Sequence, residues 1–388
     1  MARILVTDGD QRAALAIVRS LGAAGHHCVV VSTSGRSIAG ASRYASQERC
    51  VPHPGREPDG FVAAIIREVA SGRIDVVLPV AEESILALLP YRDRIEAIVP
   101  FPSLHAFRSI CDKQAVLDAA AATGIRVPRQ TPLHSPDDAR HVEPRFPLVL
   151  KPARSVFTAG DGTRGKVSVR WVHAREELDT ALNEYPPEAY PVLAQEAITG
   201  PGVGVFVLVD DRAAIASFSH RRLREKPPTG GVSVLCRSEP LDAELLERSV
   251  ALLNRFDWSG VAMVEFKRDQ RTGEAVLMEI NGRFWGSLQL AVDAGVDFPR
   301  LLVDLALGNG PARVQQYRHV TSRWWWGDVD NLITRLRDRR ATLSTRWLAL
   351  REWMAAFAPG IRNEVFRVRD PMPAARETVQ WFRSAFGG

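Results

Sequence analysis

Cysteine is scarce in this chain: Cys28, Cys50, Cys111 and Cys236 are the four in 388 residues. They lie far apart, with no CxxC pair and no histidine at ligand spacing. That argues against a disulfide framework or a Cys/His zinc site, and it suits a reducing cytoplasm. No uninterrupted apolar stretch approaches the length of a bilayer span. The start, Met1-Ala2-Arg3-Ile4-Leu5-Val6, runs straight into a strand-like segment, so no signal peptide is expected. The first turn, Thr7-Asp8-Gly9-Asp10, has one glycine where a dinucleotide site needs GxGxxG. Its acidic side chains would repel a pyrophosphate, which argues against a nicotinamide cofactor. Internal repeats and low-complexity runs are also missing.

What is present describes an ordinary globular chain. Hydrophobic residues make up 46% and charged residues 24%, enough to build more than one core. The net charge of +5 is mild and suits an anionic ligand such as a nucleotide or a carboxylate.

Residues 1 to about 105 alternate between strand and helix signals. Strands are predicted at Ile4–Val6, Cys28–Val31, Asp75–Val80 and Ile95–Val99. Helices are predicted at Gln11–Ala24, Phe61–Ala70 and Glu82–Leu89. Such alternation predicts a parallel sheet covered on both faces, a small Rossmann-like domain. One helix is predicted over 106–127, N-capped by Asp112 and ended at Gly124. From Phe146 to about Leu307 the pattern is strand-rich with two helices, and the remainder reads as helical, Arg-rich and Trp-rich.

Val261–Lys267 and Ala275–Asn281 read as two strands of a hairpin around Thr272-Gly273. Strand side chains alternate faces, so Glu279 and Asn281 share one face, and Glu265 can lie on the same face of the partner strand. Carboxylates buried side by side repel unless a cation lies between them. Magnesium accepts one or two carboxylates and completes its shell with phosphate oxygens and water. For either glutamate alone, pairing with Arg or Lys on a solvated face is the better reading; the whole set, followed by Arg283, favours the metal.

Lys151 ends the buried run Pro147–Leu150, where an ammonium needs an anion to offset its desolvation. Ser155 to Lys166 holds Gly160, Gly162 and Gly165, with Thr158, Arg164 and Lys166. It is either an ordinary hairpin turn or a mobile loop whose N–H groups fold over phosphates. Lys113 opposes the dipole at the first turn of its helix, which makes sense beside a phosphate. Val192–Ile198, followed by Thr199-Gly200-Pro201-Gly202, reads as a strand and linker able to offer backbone groups to an adenine edge. The run His220–Lys226, with Arg221 and Arg222, either holds a substrate carboxylate or is a solvated loop.

In this order the features resemble the ATP-grasp superfamily of carboxylate–amine and carboxylate–thiol ligases, most of all stand-alone proteins like the synthetase halves of carbamoyl-phosphate synthase. The match rests on Asp112-Lys113, Leu150-Lys151, the Gly-rich loop, Gln195–Ile198, Glu265, and Glu279-Ile280-Asn281-Gly282-Arg283. The resemblance implies an α/β fold with an α+β second lobe. A Rossmann-like preATP-grasp domain (1–105) would precede a two-lobed ATP-grasp domain (106–310) and an Arg/Trp-rich helical extension (311–388). The lid would take about 128–196 and the metal-binding lobe about 197–310.

It also implies roles. Lys113 and Lys151 would contact ATP phosphates, and the loop carrying Thr158, Gly160, Gly162 and Gly165 would close over them. Glu196 and Ile198 would present backbone groups to adenine, with Gln195 near the exocyclic amine. Glu265, Glu279 and Asn281 would bind magnesium, or manganese in its place. Arg283 would steady the carboxylate and the acyl phosphate. Two departures stand out: the acid that many relatives use for ribose falls near Gly202, and Gly282 stands where Pro is common.

The implied activity is ADP-forming ligation of a small carboxylic acid, through an acyl phosphate, to an amine or thiol. A phosphotransferase and a non-catalytic ATP-binding module are the rivals. Nucleic-acid binding by Arg335, Arg337, Arg339 and Arg340 is the weaker reading, because lone basic helical faces are usually solvated. Trp324-Trp325-Trp326 packs the tail on the core or lines a contact between subunits of a homo-oligomer.

Overall fold

The computed structural model describes residues 1–142, 145–310, 312–314, 316–339 and 341–386. Arg340, one of the four tail arginines singled out above, lies outside the described residues.

The chain begins β1 (Arg3–Val6), α1 (Arg12–Ala23), β2 (His27–Ser32), β3 (Ala45–Cys50), α2 (Pro58–Gly72), β4 (Val76–Leu78) and α3 (Glu82–Leu88). The strands form a parallel sheet ordered β3-β2-β1-β4. Alternation along β1 explains its two covered faces: Ile4 and Val6 pack with α1 in one core, and Leu5 packs with α2 in another. The polar run Ala45–Cys50 forms edge strand β3 without an apolar signature, because most of its side chains face outward. The strand predicted at Ile95–Val99 reduces to a single bridge between Ile98 and Val76.

The predicted helix over 106–127 is two helices, α4 (Leu104–Cys111) and α5 (Lys113–Ala121). Asp112 is extended (φ −87°, ψ 103°), ends α4, and caps α5 by accepting from the Ala115 N–H. The break turns Lys113 inward: its N–H reaches the Ala153 carbonyl at 2.8 Å.

Next come β5 (Gln130–Leu133), β6 (Leu148–Pro152), β7 (Val156–Thr158), β8 (Arg164–Lys166), β9 (Arg170–Val172), α6 (Arg175–Asn183) and β10 (Val192–Glu196). Four of these form a small antiparallel sheet ordered β5-β10-β6-β9, with its own core around Leu150, Val172, Leu178 and Val192. The pair β7 and β8 is a separate hairpin.

Gly200 then carries the chain into β11 (Gly202–Asp210), β12 (Ala213–Lys226), β13 (Val232–Ser238), α7 (Ala243–Asn254), β14 (Gly260–Arg268), β15 (Ala275–Asn281), α8 (Leu288–Ala294) and α9 (Phe298–Ala306). The tail adds β16 (Thr321–Arg323), α10 (Trp325–Arg337), α11 (Leu343–Ala355), β17 (Ile361–Asn363) and α12 (Met372–Phe386). The expected helical C-terminal region is therefore present. It also contributes two strands to a seven-stranded sheet ordered β15-β14-β11-β12-β13-β16-β17. This sheet shares cores with the first domain: Phe206 and Leu208 of β11 join β1 and α1, while Val205 and Val207 join α2, α4 and α5.

Trp326 stacks on Trp381 at 4.2 Å, and Trp325 packs against Trp353 at 5.8 Å, so the tryptophan cluster ties α10 to α11 and α12. Among the described residues no helix is long and apolar enough to cross a membrane.

Candidate active site

β14 and β15 form the expected hairpin. Its turn is held by Asp269, whose carboxylate accepts from the Arg271 N–H at 2.9 Å, and by Gly273 at φ +74°. Glu265 and Glu279 are direct cross-strand partners, and Met263 faces Asn281. The register slips between Glu265 and Phe266, leaving Met278 as the extra residue. The bulge sends two consecutive side chains, Met278 and Glu279, into one cavity. Strict alternation assigns Met278 to the opposite face, so this residue was not legible in the sequence.

The cavity, about 340 Å³, lies between the small sheet and the seven-stranded sheet. Val149, Trp171, Ile198 and Met278 give it apolar walls. Lys151, Arg222, Glu265, Glu279, Asn281 and Arg283 bring charge and polarity into the same space. Trp171 comes from β9, directly opposite Val149 of β6. Nothing local in the sequence marks it, because its role depends on that pairing.

The two glutamates have different electrostatic settings. Burial alone would raise the Glu279 carboxyl, but Lys113, Lys151, Asn281 and Arg283 together hold it down to about 2. Lys113 Nζ lies 3.7 Å from Glu279 Oε2, and it also donates to Ser155 Oγ at 2.7 Å. Asn281 donates to Glu279 at 3.0 Å and accepts from Arg283 at 3.1 Å. Glu265 is pushed up, chiefly by burial and also by Glu279, against the pull of Arg222. Arg222 forks onto both Glu265 oxygens at 2.8 and 2.6 Å, and also reaches Glu225 at 3.0 Å. Burial lowers Lys151, opposed by Glu279 and Glu265. Among the described residues Lys151 forms no ion pair, so its ammonium is available to an anion in the cavity.

Gln195 is buried and donates to Gln130 at 2.8 Å, while Glu196 pairs with Arg129 at 2.8 Å. Both line the cavity with Ile198, whose carbonyl accepts from Lys267 Nζ at 3.3 Å. Gly200 has φ +143°, and a Cβ there would sit 1.9 Å from the Arg268 carbonyl oxygen; only glycine fits this link between the sheets.

Both departures noted in the sequence have steric causes. A Cβ on Gly202 would meet Arg222 Cδ at 2.8 Å and Glu225 Oε1 at 2.9 Å, so the stem of the arginine that holds Glu265 occupies that space. A side chain on Gly282 would collide with Ile110 at 2.1 Å and Trp258 at 2.4 Å.

Some expected residues are not brought to this cavity. Arg221 points away from it, half exposed and 3.8 Å from Glu239, because Arg222 occupies the inward position on β12. Thr158 lines a different cleft, and Gly160 and Gly162 sit at the open tip of the β7–β8 hairpin. Gly165 lies under the Phe157 ring, 2.4 Å from where its Cβ would be, which is a packing reason for glycine. The hairpin leans on the first domain: Arg164 N–H donates to Gly55 O at 2.7 Å, and Lys166 pairs with Glu83 at 2.5 Å. Conversely, Arg12 reaches the cavity from α1, stacked 4.0 Å over Trp324 and ion-paired with Glu364. Those partners lie more than three hundred residues away in sequence.

The donor set suits a hard cation. Among the described residues there is no cluster of three or more His, Cys, Asp or Glu, so those residues offer no all-protein cage. Two facing carboxylates and an amide oxygen match an ion that takes its remaining ligands from phosphate and water.

A family model described as ATP-grasp in the biosynthetic pathway with Ter operon matches residues 188–325. A D-aspartate ligase of Enterococcus faecium (strain Aus0004) is 25% identical over 192 residues, covering 47% of this chain and 46% of that protein. The chain thus spans about half the length of this curated relative. Among solved structures, the L-amino acid ligase from Bacillus licheniformis has a TM-score of 0.62 at 15% identity, covering 79% of this chain and 74% of that one. N5-carboxyaminoimidazole synthetase from Staphylococcus aureus, complexed with ADP, has a TM-score of 0.63 at 15% identity, covering 82% and 81%.

Proposed function

We propose that this chain, an ATP-grasp protein, is an ADP-forming ligase that joins the carboxylate of an amino acid or similar small acid to an amine. The observation that carries the reading is the direct facing of Glu265 and Glu279, with Asn281 beside them and Lys113, Lys151 and Arg283 around them. The names of two similar proteins, a D-aspartate ligase and an L-amino acid ligase, favour an amino acid among the substrates.

Adenine lies between the Trp171 and Val149 wall and the Ile198 and Met278 wall, with Gln195 to Ile198 along its edge. Lys151 and Lys113 draw charge from the terminal phosphates. Glu265, Glu279 and Asn281 would hold magnesium, which would supply positive charge to the phosphate oxygens. Arg283 holds the carboxylate in line with the γ-phosphate, so that carboxylate oxygen bonds to phosphorus and ADP leaves. The same guanidinium then steadies the acyl phosphate. An amine nitrogen attacks the acyl carbon, inorganic phosphate departs with the C–O electron pair, and the nitrogen loses a proton.

The test is a screen of amino acids and amines for stimulated phosphate release from ATP. The reading expects ADP and phosphate, with stimulation by a carboxylate–amine pair. AMP and pyrophosphate as products would overturn it. ADP formation that needs no amine and leaves a stable phosphorylated product would make it a phosphotransferase.

A further inference from the structure

A second cleft adjoins the candidate active site. It holds about 540 Å³ between the first domain and the β7–β8 hairpin. One wall is the face of α3 that carries Glu82 and Leu86; another is the face of α4 that carries Arg108 and Cys111. Arg164 of β8 lies across from them. A narrow neck of about 10 Å³ lies between this cleft and the main cavity. The neck shares Glu82 and Cys111 with the outer cleft, and Glu279, Asn281 and Arg283 with the inner cavity. Lys113 and Ser155 also line it.

The charges in this cleft are not matched to one another. Glu83 is taken by Lys166 at 2.5 Å, whereas among the described residues Glu82 has no ion-pair partner. Arg108 is exposed and likewise unpaired among the described residues. Among the described residues the Arg164 guanidinium donates to the backbone carbonyls of Pro54 and Leu86, at 3.4 and 3.5 Å, with the Glu83 and Asp59 carboxylates acting on it at longer range. Glu82 therefore stands at the neck, Arg108 and Arg164 stand farther out without a side-chain ion pair among the described residues, and Arg154 and Glu188 complete the charged lining.

Glu82 lies at the neck, and Arg108 lies on the other helix wall about one turn from Cys111 along α4. We propose that this cleft binds the acceptor amine, with its ammonium on Glu82 at the neck and an anionic group of the same molecule on Arg108 and Arg164. The acceptor class is a zwitterion, such as an amino acid, a short ω-amino acid or a peptide, rather than ammonia or a simple alkylamine. The inference rests on the ligase reading. In the transfer step the ammonium gives one proton to Glu82, and its freed lone pair forms the N–C bond. Phosphate leaves with the C–O pair, and the second proton passes from nitrogen to solvent.

The experiment supplies ATP, magnesium and the stimulating carboxylate, and compares three nucleophiles in the full-length protein. Hydroxylamine traps the acyl phosphate without needing a charged acceptor site. β-Alanine and glycylglycine probe the zwitterion site, and ethylamine is its uncharged-tail control. The wild type is expected to use β-alanine or glycylglycine at least tenfold better than ethylamine. In Arg108→Gln and Glu82→Gln the ratio of amide to hydroxamate is expected to fall at least tenfold. No hydroxamate in the wild type would sink the ligase reading itself. Hydroxamate with no preference for a zwitterion would overturn the acceptor site alone. So would variants in which both rates fall while their ratio holds.

Discussion

Replacing Glu279 with Gln removes the negative charge at the centre of the candidate site while keeping its shape. In the folded chain this carboxyl sits at about 2 instead of 4.5. Each unit of depression is worth about 1.4 kcal/mol, so at neutral pH ionised Glu279 contributes on the order of 3 kcal/mol. Its side chain keeps 29% exposure, so solvent screening trims the figure toward about 2 kcal/mol. The sign follows from the depressed value. The contribution is present above the unfolded carboxyl range and fades as pH falls from about 4.5 toward 2. Urea unfolding of metal-free protein should therefore show Glu279→Gln less stable by about 2–3 kcal/mol at pH 7, with the gap closing in acid. Ligand binding should move the other way. The variant leaves Lys113, Lys151 and Arg283 without their shared counter-charge, so metal-free ADP should bind more tightly. ADP formation with magnesium should fall on the order of 10²-fold or more, equivalent to about 3 kcal/mol of transition-state stabilisation. Unchanged urea midpoints, together with turnover within tenfold of wild type, would refute this electrostatic account.

Trp171→Ala removes an aromatic wall of the main cavity; the Michaelis constant for ATP should rise about tenfold with kcat nearly kept, in line with about 1–1.5 kcal/mol for an aromatic face. A steady-state ATP titration with an unchanged constant would exclude Trp171 from adenine binding. Gly200→Ala forces a side chain onto the Arg268 carbonyl at a positive φ, so urea unfolding should show a loss of about 1–3 kcal/mol or more. His220 is driven well below 6.5 by burial, with Arg222 adding to the shift. Below pH 6.5 the unfolded chain takes up a proton that the folded chain refuses, so stability should drop by up to about 1.4 kcal/mol per pH unit on this account. His220→Leu should flatten that slope between about pH 5 and 7 relative to wild type.

The parts of this molecule that follow a local rule were legible in the sequence. The hairpin of Glu265 and Glu279 follows from period-two alternation around Thr272-Gly273, and the parallel sheet follows from short apolar runs alternating with amphipathic ones. The parts that depend on tertiary pairing were not legible. Met278 enters the cavity through a bulge, Trp171 through its register with Val149, and Arg12 through Trp324 and Glu364 of the distant tail. β3 went unread because an edge strand with outward polar side chains lacks the apolar signature of its neighbours. The glycines of the β7–β8 hairpin suggested a phosphate loop, yet Gly165 has a packing reason under Phe157. Arg221 and Arg222 look alike in sequence, but a strand shows only one of two neighbours to a given face, and Arg222 is the one inside.

The measurement that bears most directly on the central claim is a crystal grown with manganese and a non-hydrolysable ATP analogue, with data collected at the manganese edge. The account predicts an anomalous peak within bonding distance of carboxylate oxygens from both Glu265 and Glu279, shared with phosphate oxygens. Nucleotide bound in the cavity with that peak elsewhere, or with Glu265 still forked onto Arg222 and no ion beside it, would contradict the account.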